Sequence, residues 1–214
     1  MKYVKLLKLF LVAAITAGFL SCGKDYSPDE EKYISKIENF RHEKDEYMRN
    51  NPYSPFNSRT KIEFSPLKYY DPDPEFVFKS KLYEYDQKDT VIIFGTKGEE
   101  RKTVRYGYVK LNYNGEEYKV NVYEGSTKAG EKYYSIWFTD KTTGDETYGV
   151  GRYIDFEPAY RAGSLNPNKD FVYTIDLNLA YNPYCAYSPN YSCAIPTKED
   201  YIDIAIEAGE KNFH

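Results

Sequence analysis

The chain has 214 residues, of which 29 are basic and 33 acidic, for a net charge of −4, with two histidines, three cysteines and 25 tyrosines. That length is enough for one domain with a sizeable core, and the acidic balance argues against nucleic acid or an anionic membrane surface as partner. His42 lies in a charged stretch and His214 is the last residue, which argues against a His-based triad, a His-rich zinc site or a His proton shuttle.

In chain order, Lys2, Lys5 and Lys8 precede an apolar run from Leu9 to Leu20, followed by Ser21 and Cys22. This is the layout of a secretory signal, and the run is shorter than the roughly 20 residues that cross a bilayer. The FLSC junction resembles a bacterial lipoprotein box, with Phe19 where Leu is usual. Residues 1–21 are therefore expected to form a lipoprotein signal peptide, Cys22 to carry the acyl chains, and 22–29 to act as a tether. Gly23 rather than Asp follows Cys22, so the familiar inner-membrane retention signal is missing, and Lys24-Asp25 resembles a surface-export tag. The expected place is the cell envelope, lipid-anchored to the outer membrane, facing either the periplasm or the outside. Three of the 29 basic residues lie in the signal, leaving 26 against 33 acidic residues, or −7.

SPDEEKYISKIENFRHEKDEYMRN reads as one helix. Ser27 caps it, Pro28 suits the first turn and Glu30 completes a capping box. Tyr33, Ile37, Phe40 and Tyr47 or Met48 recur at near-helical spacing as one apolar stripe. NNPYSPFNS ends the helix, and DPDPE at 71–75 is a second Pro-broken bend without the glycine and spacing of a calcium loop.

From Lys81 onward the pattern is strands. TVIIFGTKGEERKTVRYGYV reads as two strands around Gly98. In YVKLNYNGEEYKVNV a two-residue turn at Asn114-Gly115 pairs Tyr113 with Glu116, Leu111 with Tyr118 and Val109 with Val120. YYSIWFTDKTTGDETYGVGRYIDF gives a strand, a turn at 141–145 and another strand. FVYTIDLNLA is a further strand, and YIDIAIEAG alternates Ile202, Ile204 and Ile206 with Asp203, Ala205 and Glu207. The expected fold is mainly β, an antiparallel sandwich or partly open barrel with one N-terminal helix, forming a single β-rich domain over 30–214.

FRHEKDEYMRNNPYSPF, FTDKTTGDETYGVGRYIDF, DLNLAYNPYCAYSPNYSCAIP and the closing EAGEK resemble the domain-of-unknown-function 1684 family, over about Phe40 to Lys211. The family brings no reaction. Positions that match its motifs include Asp140, Gly144, Glu146, Tyr148, Gly149, Gly151, Arg152 and Asp155, then Asp176, Asn178, Tyr181, Asn182, Cys185 and Cys193. Leu177 and Ala194-Ile195 depart from them.

Read physically, ETYGVGRYID is a strand interrupted by two glycines on one face, where a ligand or another backbone can approach closely. Thr147, Tyr153 and Asp155 share that face, while Glu146, Tyr148 and Arg152 take the other. Glu146 and Arg152 lie about 20 Å apart along a straight strand, so Arg152 is expected to pair with a carboxylate on a neighbouring strand, with Asp176 as the candidate. That pair is either a structural brace or an anion clamp. Glu146 and Asp176 would do acid–base work only if they met at one substrate.

Cys185 and Cys193 remain as an even pair in an exported setting once Cys22 is acylated. Seven residues separate them, unlike a zinc knuckle or a CxxC redox motif, and a disulfide is the expected state, with free buried thiols as the alternative. Members of the resembled family without signal peptides would keep such a pair reduced. Tyr181, Tyr184, Tyr187 and Tyr191 crowd this loop, which reads as stapled scaffold lining a site. No GxSxG, HExxH, GxGxxG or P-loop pattern is present, so no cofactor and no metal are expected. The functional expectation is a membrane-anchored module that binds a small polar ligand, a glycan or a protein partner. The ligand-binding candidates are Glu146, Tyr148, Arg152, Asp155, Asp176, Asn178, Tyr181 and Asn182. The rival is a His-free hydrolase-like enzyme that uses a carboxylate, Arg and Tyr pocket.

Overall fold

A computed structural model of the chain describes residues 24–58, 61–127, 129–156 and 165–214. The expected signal peptide and the Cys22 lipidation site lie outside the described residues. Helix α1, Pro28–Asn50, starts as its sequence dictates: the Glu30 N–H donates to Ser27 Oγ and the Ser27 N–H donates to the Glu30 carboxylate. Asp29, Glu30 and Glu31 in the first turn complement the helix dipole. The helix ends at Asn51, whose N–H returns to the Tyr47 carbonyl, just before Pro52. Among the described residues no helix is long and apolar enough to cross a membrane.

The strands are β1 Val77–Lys81, β2 Tyr83–Glu84, β3 Thr90–Phe94, β4 Glu100–Tyr113, β5 Glu116–Ser126, β6 Lys132–Asp140, β7 Arg152–Asp155, β8 Val172–Asp176 and β9 Tyr201–Ile202. Strands β2, β4, β5, β6 and β7 pair in that order, with β3 also on β4 and β9 parallel to β6. Strands β1 and β8 form a second antiparallel pair. Two links draw the sheets together: Ser80 of β1 accepts the Lys110 N–H of β4 at 2.9 Å, and Tyr181, beyond β8, bridges to Tyr153 of β7. The result is a mainly β fold of two antiparallel sheets and one helix, which fits the expected sandwich or partly open barrel.

The β4–β5 hairpin has the anticipated register, with Val109 opposite Val120 and Leu111 opposite Tyr118. Asn114 at φ 51° and Gly115 at φ 84° make the type I′ turn that matches strand twist. Inward residues of β4 to β7, such as Leu111, Val122, Ile136 and Phe138, meet Phe78, Ile175, Ile202 and Ile206 in one core. Burial stabilises by roughly 1.5–3 kcal/mol for each large apolar side chain. Ile202, Ile204 and Ile206 alternate inward as read, although only Tyr201–Ile202 forms ladder pairs.

The first half of one expected strand is not there. Residues 146–151 form a turn and loop, and β7 begins only at Arg152, so Gly149 and Gly151 share no strand face. Gly151 instead adopts φ 103°, and a Cβ on it would fall 2.5 Å from the Phe138 carbonyl oxygen. Close approach of another backbone is therefore what this glycine permits.

Candidate functional site

The alternation of β6 sets up the site. Tyr134, Ile136 and Phe138 enter the core, which leaves Tyr133, Ser135 and Trp137 on the opposite face. On β7, Asp155 stands opposite Ser135 and Tyr153 opposite Trp137. This second face forms the floor of a cleft of about 700 Å³. Helix α1 contributes Phe40, Glu43, Lys44 and Tyr47 to one wall, and the cysteine loop contributes Tyr181, Tyr184, Tyr191 and Cys193 to another. Phe40 and Tyr47 thus leave the apolar stripe of the helix for the cleft rim at 43% and 41% exposure, while Ile37 and Met48 are buried.

The rings are layered. Tyr123 stacks behind Trp137 with centroids 4.8 Å apart, Tyr153 tilts against Trp137 at 5.9 Å, and Tyr181 meets Tyr153 edge-on. The Tyr181 hydroxyl donates to Asp155 at 2.6 Å. Burial, and then the Asp155 charge, push the Tyr181 phenol far above its ordinary value, so it remains a donor across the working pH range. Lys44 lies over the Tyr181 ring at 4.8 Å and pairs with Glu210 at 2.6 Å. Arg101 is held by Glu99 and by the Ser192 carbonyl, each at 2.6 Å.

Of the sequence-predicted site residues, Asp155 and Tyr181 reach this cleft, and the others do not gather there. Arg152 is fully buried and pairs with Asp140 of β6 at 2.8 Å, not with Asp176. Its guanidinium also donates to the carbonyls of Ile206, Ala208 and Glu210. A neighbouring-strand carboxylate was the right kind of partner, but β8 pairs with β1, on a different edge from β7. Asp176 accepts the Tyr33 hydroxyl through both oxygens at 2.8 Å, and Asn178 bonds Tyr33 and both backbone groups of Asp73. These two residues fasten the helix. Glu146 is exposed and pairs with Lys211 at 3.1 Å, so it shares no partner with Asp176. Asn182 is buried, donating its backbone N–H to Glu210 at 2.8 Å and its amide to the Lys211 carbonyl.

The expected disulfide is replaced by a hydrogen bond, for both cysteines are free and the Cys185 N–H donates to Cys193 Sγ at 3.1 Å. The Tyr148 hydroxyl donates to Cys185 Sγ at 3.7 Å. The Cys193 thiol, against the opposing effect of burial and with help from Tyr148 and Thr96, stabilises the Cys185 thiolate and lowers its pKa, while Cys193 is pushed up. Among the described residues no group of three or more His, Cys, Asp or Glu side chains could hold a metal ion.

Sequence reasoning missed Tyr133, Ser135, Trp137, Lys44 and Arg101 as site residues. The outward positions of YYSIWFTD were the available signal: a face with Tyr and Trp opposite a core face needs a cover.

A family model described as "Protein of unknown function (DUF1684)" matches residues 62–211, which leaves out the α1 wall of the cleft. The fold is similar to the solution NMR structure of an uncharacterized protein of Haloarcula marismortui. The two are 27% identical with a TM-score of 0.60, over 86% of this chain and 96% of that one. No curated protein matches the chain.

Proposed function

The chain belongs to the DUF1684 family, whose description assigns no reaction, and from that premise we propose that it is a lipid-anchored envelope protein that binds a small polar ligand in the aromatic cleft. The carrying observation is the convergence of rings from three separate segments, Phe40 and Tyr47, Tyr133 and Trp137, and Tyr181, Tyr184 and Tyr191, on one space of about 700 Å³. That volume falls within the roughly 300–1,000 Å³ of small-molecule sites, which are mostly apolar with a few polar groups. Binding is favoured over hydrolysis because Arg152, Glu146 and Asp176 each serve a separate structural contact. The anchor rests on the FLSC junction and the charged, then apolar, residues ahead of it.

The test uses thermal unfolding of the detergent-solubilised full chain with glycans, nucleotides, organic acids and divalent ions. A ligand should raise the wild-type midpoint but not that of a folded Tyr181→Ala variant. A panel that leaves the wild type unmoved removes the binding reading. Acyl labelling in a Gram-negative host should mark the wild type and not Cys22→Ala, and equal labelling of both removes the anchor.

A further inference from the structure

Building on the cleft reading above, we infer that the ligand is a neutral saccharide, stacked on Tyr133 and hydrogen-bonded through adjacent hydroxyls to Ser135 and Asp155. The inference starts from Ser135. Its residue is 4% exposed, it lines the cleft, and its Oγ has no hydrogen-bond partner among the described residues. An unsatisfied buried hydroxyl destabilises the fold, and alanine would occupy the position without that cost. A ligand hydroxyl supplies the missing partner.

The neighbours of Ser135 define the rest. Asp155 stands directly across the ladder, with Oδ1 taken by Tyr181 and, among the described residues, Oδ2 left as an acceptor. Two residues before Ser135, and so on the same face, Tyr133 lies flat across Gly125, where a Cβ would fall 2.2 Å from Tyr133 Cζ. One face of that ring rests on the sheet, and the side chain stays 43% exposed. A donor–acceptor hydroxyl beside an acceptor-only carboxylate and an aromatic platform matches a sugar ring, which pairs adjacent hydroxyls with an apolar C–H face.

Charge selects the neutral form. Glu43 and Asp155 balance Lys44 and Arg101 around the cleft, and both cations are already paired, with Glu210 and Glu99. Among the described residues an anionic ligand would meet no uncommitted cation, and it would lie beside the Asp155 carboxylate. A cation would gain from the rings but would leave the Ser135 hydroxyl proton without an acceptor.

Trp137, the one tryptophan of the chain, reports on the cleft floor. The experiment titrates the detergent-solubilised full chain with methyl glycosides and oligosaccharides of glucose, galactose, mannose and N-acetylglucosamine. Galacturonate, choline and 4-hydroxybenzoate serve as comparators. A neutral glycoside should change the Trp137 emission saturably. Its affinity should fall about tenfold in Ser135→Ala, the loss of one hydrogen bond, while that variant unfolds at the same or a higher temperature. Tyr133→Ala should weaken the same titration. If only a comparator binds, the saccharide assignment fails and the cleft reading stands. If no probe binds, both fail. Glycoside binding unchanged by both substitutions overturns the placement on Ser135 and Tyr133.

Discussion

Lys44 of helix α1 sets its ammonium 2.6 Å from Glu210 Oε1, while the other oxygen of that carboxylate receives the Asn182 N–H at 2.8 Å and the Tyr187 hydroxyl. One carboxylate, 1% exposed, therefore joins the helix, the cysteine loop and the C-terminal segment. Glu210→Gln should cost about 3 kcal/mol, because an ammonium in a half-closed site loses its counter-charge. Lys44→Met should cost at least as much, since it leaves the more deeply buried carboxylate without its counter-charge. Urea unfolding of both variants measures the losses, and a Lys44→Met variant as stable as the wild type would show that the loop donors alone hold the Glu210 charge.

The Arg152–Asp140 pair is sealed, with both side chains at 0% exposure. Asp140→Asn should destabilise by about 3–5 kcal/mol, the usual result of leaving a buried charge uncompensated. Removing both charges should not restore stability, because the carbonyls of Ile206, Ala208 and Glu210 then lose their donor. A double-mutant cycle on chemical denaturation reads this directly. A double variant as stable as the wild type would show that those carbonyls find other partners.

Tyr33→Phe removes the hydroxyl that Asp176 and Asn178 share, at an expected cost of about 1–3 kcal/mol. Burial, then Asp176, raise the Tyr33 phenol above its ordinary value of 10.0. A raised value means that the contribution is complete below pH 10 and is lost as pH rises beyond it. Wild type and Tyr33→Phe should therefore converge in stability above pH 10, as followed by circular dichroism. A gap that widens with pH would contradict the assignment.

Cys185 should alkylate with iodoacetamide at a rate that rises at a lower pH than that of an ordinary thiol, because its thiolate is stabilised in the fold. Cys193→Ala removes the largest stabilising donor, so the midpoint should move upward toward the ordinary thiol value of 9.0. Mass spectrometry of the labelled peptide gives both curves, and coincident midpoints would exclude Cys193 as the donor.

Local features were legible in the sequence. The Ser27–Glu30 capping box and the Asn114-Gly115 turn each depend on residues within three or four positions, and the alternation of Ile202, Ile204 and Ile206 needs no partner to be seen. The partner of Arg152 was not legible, since three of its acceptors are backbone carbonyls that any residue carries. The cleft escaped for a related reason. Alternation shows which side chains leave β6 away from the core, but not that α1 and the cysteine loop will stand over them. Phe40 and Tyr47 have helical spacing that fits a core stripe equally well, and only their place above the sheet separates them from Ile37 and Met48.

The guanidinium of Arg152 also sets an order of events during folding. Its backbone acceptors lie 54 to 58 residues downstream, so a chain that has paired every strand through β8 still holds a buried cation with only Asp140 to answer it. Closing the core over that charge stays costly until residues 206–210 dock against it. Completion of the core is thereby tied to the C-terminal segment, and the outer face of β6 and β7 stays without its Lys44–Glu210 strut until the same residues arrive.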